Sequence, residues 1–183
     1  NDKVGVVLTE ATNPPNVSGI IQHIVYGDTI GIKIGQGCTG SCTFCRLRNR
    51  KHVFRSAEDI ARDVYTWHLR FPQLQIMLCS DDCGACTSDL ITLIQQLRLD
   101  CPGVSLNIQS VNTKYFLTNK ESFIELFSSK ILKSIGISVQ SGSPTILKAM
   151  GRPNLLDDLK LALGEINRIL PEGSFTYSEF IHG

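Results

Sequence analysis

Apolar positions along the chain keep two rhythms in turn. Residues 29–34 place Ile30, Ile32 and Ile34 at every second position with β-branched content, the pattern of a strand. Ser56-Ala57-Glu58-Asp59 then reads as a helix start, and Ile60, Val64, Trp67 and Phe71 follow at helical spacing until Pro72 ends the run. A short apolar strand over residues 74–79 precedes a second helix with Leu90, Leu93, Ile94 and Leu97 on one face, starting at Ser88-Asp89. The alternation continues with a strand over 104–108, a helix over 115–127, a strand over 134–139, helices over 145–150 and 155–170, and a strand over 175–181.

Strands and helices in strict alternation predict parallel βα units with a ligand site at the strands' carboxyl ends. About four and a half such units are present, too few for an eight-stranded closure, so an α/β fold built as a partial, open barrel is expected. Residues 1–29, with Asn13-Pro14-Pro15-Asn16 and a weak strand signal at residues 4–8, read as a lead-in, and 30–183 as the core domain. The chain opens at Asn1 without methionine and stops at Gly183 straight after an apolar run, so the core is expected to be incomplete at its carboxyl end.

Composition narrows the partners only slightly. With 183 residues and 42% apolar content the chain supports one sizeable core, and a net charge of +1 gives no global pull toward nucleic acid, membrane or an acidic substrate. No run approaches the roughly 18 apolar residues of a membrane span, and the first 25 residues lack a signal-peptide pattern. No membrane partner is expected, and the location expected by default is cytoplasmic.

Seven cysteines change the picture more, because six fall in two tight groups, Cys38/Cys42/Cys45 and Cys79/Cys83/Cys86. The first group has C-x3-C-x2-C spacing in a loop with Gly35, Gly37 and Gly40, directly after the first strand of the βα series. Three thiolates this close can reach one compact metal site. Iron–sulfur clusters usually take four cysteines, so three leave one iron open to an outside ligand. A structural zinc site with His52 as fourth ligand, in a non-catalytic binding domain, is the other reading of the spacing.

The triplet, with Phe44 just before its last cysteine and a βα strand before it, resembles the signature of the radical SAM superfamily. Residues 134–152 add a second likeness: the run Val139-Gln140-Ser141-Gly142-Ser143 ahead of Leu147-Lys148-Ala149-Met150-Gly151-Arg152 is similar to the fourth strand and following helix of the methylthiotransferase branch. The likeness extends from about Gly31 to Gly183 and weakens between Val104 and Lys133. It implies a radical SAM core as a partial parallel βα barrel truncated after its fifth strand. Implied cofactors are a [4Fe–4S] cluster on Cys38, Cys42 and Cys45 and S-adenosylmethionine, whose S–C5′ bond is cleaved to yield a 5′-deoxyadenosyl radical. Implied SAM contacts are Phe44, Ser80, Asp81, Gln140, Ser141 and Arg152, with the Arg152 fork suited to the methionyl carboxylate and the Gln140 amide to ribose hydroxyls. The best-fitting activity is methylthiotransferase-like modification of tRNA or a ribosomal protein, followed by a peptide-modifying radical SAM enzyme. Both need an external low-potential electron donor and a macromolecular substrate, RNA or peptide.

Two features stand apart from that likeness. The second triplet repeats the spacing at the end of the second strand and reads as an auxiliary cluster on Cys79, Cys83 and Cys86, as pocket-lining or redox-active thiols, or as small buried residues. Strands about 4.8 Å apart would crowd two cubanes at one mouth. The branch's usual Val-Pro segment after the third cysteine is replaced by Arg46-Leu47-Arg48-Asn49-Arg50-Lys51, and with Arg55 and His52 this basic run reads either as a solvated loop or as a grip on RNA phosphates or a peptide carboxylate.

Overall fold

Ile30, Ile32 and Ile34 are all fully buried, which is what period-two patterning requires when one face of a strand meets the core. The computed structural model describes residues 23–181. In chain order these form β1 (His23–Tyr26), β2 (Thr29–Lys33), β3 (Gly35–Cys38), β4 (Arg50–Phe54), α1 (Ala57–Arg70) and β5 (Gln75–Cys79). A 3₁₀ turn (Cys83–Cys86) leads into α2 (Thr87–Asp100), then β6 (Leu106–Asn112), α3 (Thr113–Thr118), α4 (Lys120–Ser128), β7 (Leu132–Gln140), α5 (Pro144–Ala149), α6 (Leu156–Asn167) and β8 (Phe175–Phe180).

The main sheet has the order β1-β2-β5-β6-β7-β8. Its last five strands are parallel and β1 is antiparallel to β2. The sheet stays open, as expected for a partial barrel. Ile76, Leu78, Leu106, Ile108, Ile135 and Ile137 belong to one buried core, closed by Val64 of α1, Leu93 of α2, Phe127 of α4 and Ile166 of α6. Polar residues also sit side by side in register, with Lys33 beside Cys79, Asn107 beside Ser134, and Ser138 beside Glu179. No helix among the described residues is long and apolar enough to cross a membrane.

Local chemistry sets the element ends. The Ser56 hydroxyl accepts the Asp59 N–H at 3.1 Å, the cap read in the sequence. The helix expected over 115–127 is two helices, broken at Asn119, whose backbone leaves helical geometry (φ −114°, ψ 23°) while its side-chain amide donates to the Tyr115 carbonyl at 2.9 Å. An asparagine that satisfies the carbonyls of the preceding turn ends one helix before the next begins. The last part of the expected lead-in is also a strand, β1, joined to β2 by Gly27-Asp28, a two-residue hairpin with Gly27 at φ +61°. The strand signal at residues 4–8 lies outside the described residues.

The basic run is not a loop throughout. Arg50–Phe54 pairs as β4 with β3 in a two-stranded ribbon. Arg55 is buried, donating to the Lys33 carbonyl at 2.8 Å and to the Asp63 carboxylate at 2.7 Å, so it belongs to the packing and not to a phosphate surface. Removing one member of a buried ion pair leaves the other desolvated without its counter-charge. Arg55→Ala is therefore expected to cost about 3 kcal/mol of folding stability, read as a lower urea midpoint, with Arg55→Lys intermediate.

Candidate functional site

The loop carrying Cys38, Cys42 and Cys45 is irregular, so neighbouring elements must hold it. At its base, Gly37 sits at φ +88° and a Cβ there would lie 2.2 Å from the Lys51 carbonyl oxygen, a position only glycine fills. The Gly37 N–H donates to Asp81 Oδ2 at 2.7 Å, and His52 Nε2 pairs with Ser80 Oγ at 3.0 Å, which tethers the β3–β4 ribbon to the carboxyl end of β5. Within the loop, the Asn49 N–H donates to the Gly40 carbonyl at 2.8 Å. On the far side, Thr43 donates from its backbone to the Met150 carbonyl at 3.0 Å and from its hydroxyl to the Ala149 carbonyl at 3.1 Å. Thr39 Oγ1 meets the Tyr115 hydroxyl at 3.4 Å.

Each of the three thiols has a polar contact. Cys38 Sγ accepts the Gly40 N–H at 3.3 Å and donates to Asp82 Oδ2 at 3.7 Å. Cys42 Sγ accepts from Arg152 Nη1 at 3.4 Å, and Cys45 Sγ accepts the Leu47 N–H at 3.3 Å. No three His, Cys, Asp or Glu side chains among the described residues are gathered closely enough to hold a single metal ion. Gly40 lies between two of the thiols: a Cβ there would sit 3.2 Å from Cys38 Sγ and 3.9 Å from Cys42 Sγ.

The electrostatics of this corner favour a cation. Burial pushes the Cys38 thiol up, with Asp82 and Cys42 adding to the rise against the Gly40 N–H. Burial likewise pushes the Asp82 carboxyl up, although the Gly84 and Asn112 N–H groups pull it down. Acidic groups that burial holds in their neutral forms are those a bound metal centre deprotonates. His52, whose imidazole burial pushes down, has Nε2 engaged by Ser80.

Beside the thiols a cavity of about 490 Å³ opens at the strands' carboxyl ends, lined by Thr39, Cys42, Asp82, Tyr115 and Arg152 among others. Its size suits a small cofactor. Of the residues expected to contact SAM, Arg152 lines this cavity and also donates from Nη2 to the Ser138 carbonyl. Gln140 ends β7 in a left-handed conformation (φ +76°) and its carbonyl accepts the Ile181 N–H at 3.0 Å. Ser141 accepts the Ser143 N–H at 3.1 Å, and Phe44 stands half-exposed apart from the cavity lining. Ser80 and Asp81 direct polar atoms to the ribbon. In the second triplet, Cys83 is sealed in the core with its thiol donated to the Leu78 carbonyl at 3.8 Å, and Cys79 donates to the Ile32 carbonyl at 3.4 Å. Both contacts are those of thiols packed against backbone.

Sequence reasoning misses two contributors. Tyr115 reads as an ordinary helix residue, yet its position just after the Asn112 cap points it at the cysteine loop. Glu179 reads as an incidental charge in an apolar strand. In the sheet it accepts from Ser138 Oγ at 2.8 Å and Ser110 Oγ at 3.5 Å. Ser110 reaches it from φ +61° at a bulge in β6.

A family model described as the radical SAM superfamily matches residues 32–177. Among curated proteins, the chain is 31% identical over 153 residues to the ribosomal protein uS12 methylthiotransferase RimO of Thermotoga petrophila, covering 77% of this chain and 34% of that protein. It is 26% identical to a probable threonylcarbamoyladenosine tRNA methylthiotransferase of Pyrococcus abyssi, covering 77% and 35%. The chain thus spans about a third of the length of these relatives. Among solved structures, the radical S-adenosylmethionine methyltransferase TsrM of Kitasatospora setae superposes with a TM-score of 0.69 at 14% identity, covering 86% of this chain and 31% of that one, a likeness of fold.

Elsewhere in the sheet, Tyr177 lies over Gly136, where a Cβ would come within 2.5 Å of its ring. Burial pushes the Tyr177 phenol up, and Glu179 and Cys83 push it further. The neutral phenol is the form the fold favours, so its stabilisation is present at neutral pH and is lost as pH rises past the ordinary tyrosine range. In an alkaline absorbance titration Tyr177 is expected to ionise above ordinary tyrosines, and Glu179→Gln to bring it part of the way down, with Tyr177→Phe identifying the signal.

Proposed function

The chain belongs to the radical SAM superfamily, and on that premise we propose that Cys38, Cys42 and Cys45 hold its [4Fe–4S] cluster in the catalytic core of a methylthiotransferase-like enzyme acting on tRNA or a ribosomal protein. The superfamily's cofactors are a [4Fe–4S] cluster and S-adenosylmethionine. The observation that carries the site assignment is the meeting of Arg152 with Cys42 at the rim of the 490 Å³ cavity. It joins residues 110 positions apart, from the two stretches that resemble the family.

The residues fit the cluster. Three thiols on one glycine-rich loop, two receiving backbone N–H groups and one a guanidinium, are a donor set suited to anionic sulfur. When bound, the cluster and SAM supply reductive cleavage of the S–C5′ bond and hydrogen abstraction by the resulting radical. The chain's own part is positioning. Cys38, Cys42 and Cys45 would leave one coordination place open for SAM. Arg152 would pair with the methionyl carboxylate through its planar fork, and Gln140 would present its amide at the end of β7. Tyr115 and Leu155 give the cavity apolar walls that help exclude water. The electron comes from an external low-potential donor. Methylthiotransfer is supported by curated relatives of that activity, and its tRNA form by the Flavobacterium psychrophilum tRNA-2-methylthio-N(6)-dimethylallyladenosine synthase, 23% identical and covering 96% of this chain and 40% of that protein.

Anaerobic reconstitution with iron and sulfide tests the reading. About four irons per chain and dithionite-dependent release of 5′-deoxyadenosine are expected. A colourless protein holding one zinc and leaving SAM intact would overturn it. Gly40→Ala is expected to lower bound iron severalfold by crowding Cys38, whose Sγ would lie 3.2 Å from the added methyl, whereas Gly142→Ala, whose added methyl meets nothing within 4 Å, keeps it.

A further inference from the structure

The ribbon behind the cysteine loop carries a charge pattern that the cluster site does not use. Arg46, Arg48, Arg50 and Lys51 are all exposed, and none is ion-paired among the described residues. Other cations without an ion pair among the described residues, such as Arg70, Lys114 and Arg168, stand apart from one another along the chain, whereas these four fall within residues 46–51. The turn that presents the four is folded, since the Asn49 N–H donates to the Gly40 carbonyl and the Arg50 N–H to the Leu47 carbonyl at 3.3 Å. Arg50 is the register partner of Cys38. Paired strand residues lie about 5 Å apart, so an anion held by Arg50 sits next to the cluster loop, whose Thr39–Cys42 stretch lines the cavity.

Four like charges within six residues repel one another in the free protein and are relieved by a ligand of comparable charge density. Three of the four are arginines, whose forks match phosphate oxygens in a way a lysine's point charge does not. The pocket under this surface, lined by Leu47, Arg50, Lys51 and Asp81 among others, is only about 130 Å³, too small for the buried aromatic anchor that a protein partner usually supplies. We propose that the β3–β4 connection and the start of β4, which carry Arg46, Arg48, Arg50 and Lys51, are an RNA-docking surface, gripping the phosphates of an unpaired strand so that a neighbouring nucleotide reaches the cavity mouth. The proposal rests on the methylthiotransferase-like reading and selects its RNA form.

The test is fluorescence anisotropy of the reconstituted protein with a labelled oligoadenylate RNA of about 20 nucleotides over roughly 0.05–0.2 M salt, a range in which about 0.7 of a counterion is released per single-strand phosphate contact. The combined variant Arg46→Gln, Arg48→Gln, Arg50→Gln and Lys51→Gln is expected to bind about tenfold or more weakly at roughly 0.1 M salt, with its log–log salt slope flatter by about 3. A control, Lys130→Gln with Lys133→Gln, removes charge at the other end of the sheet and is expected to bind as the parent does. The proposal is overturned if the combined variant binds like the parent or if the control weakens binding as much. It also falls if polyglutamate of equal charge displaces the RNA as well as unlabelled RNA does, since the surface then selects acidic protein. Dithionite-driven 5′-deoxyadenosine release, measured alongside without RNA, separates failure of this surface from failure of the enzyme reading.

Discussion

Everything at the candidate site depends on holding an irregular, glycine-rich loop of thiols against the carboxyl ends of a parallel sheet. Such a loop has little regular hydrogen bonding of its own, so its backbone groups must find partners elsewhere. Here they find them on two sides. Asp81 and Ser80 at the end of β5 hold the ribbon at its base, and the last carbonyls of α5, at Ala149 and Met150, take Thr43. The second tie also fixes Arg152, two residues beyond Met150, against Cys42. One set of contacts therefore positions the thiols and the guanidinium together, which accounts for their meeting across so much sequence.

The same end of the sheet carries two of its register shifts, a third lying at the start of β6 between Leu106 and Asn107. Pairing between β6 and β7 shifts register next to Ser110, and pairing between β7 and β8 shifts next to Gln140, and both residues hold a positive φ without being glycine. Bulges of this kind re-aim side chains, and the Ser110 hydroxyl is aimed at Glu179. The core residues Ile108, Ile135 and Ile137 beneath them are fully buried. Regular packing in the core and strained, polar geometry at the strand ends is the division of labour of a scaffold with a site at its open end.

Much of this is legible along the chain. Period-two isoleucines locate β2, the Ser56 cap and Pro72 bracket α1, and the strand-helix rhythm leads to an open parallel sheet. The two family-like stretches imply that the cysteine loop and Arg152 lie together, and the contact with Cys42 joins them. What the sequence leaves unread has physical reasons. Asn119 carries helix propensity poor enough to permit a break but not to demand one, and the β3–β4 ribbon hides in glycines and arginines that have no strand pattern. Arg55 belongs to a run of exposed cations by sequence, and only its contact with Asp63 and the Lys33 carbonyl sets it apart.

Local patterning alone determined the order and type of most elements and singled out the thiol triplet as a candidate metal-binding loop, because apolar periodicity and cysteine spacing act over a few residues and need no knowledge of the rest. The tertiary structure decided which polar groups are spent and which remain free. It gave Ser80 and Asp81 to the ribbon, Cys79 and Cys83 to the backbone and core, and Glu179 to two serines from other strands, while leaving Arg46, Arg48, Arg50 and Lys51 in solvent. Hydrogen bonds and burial at these positions come from partners distant in sequence, and the closing of parallel strands side by side is what brings those partners within reach.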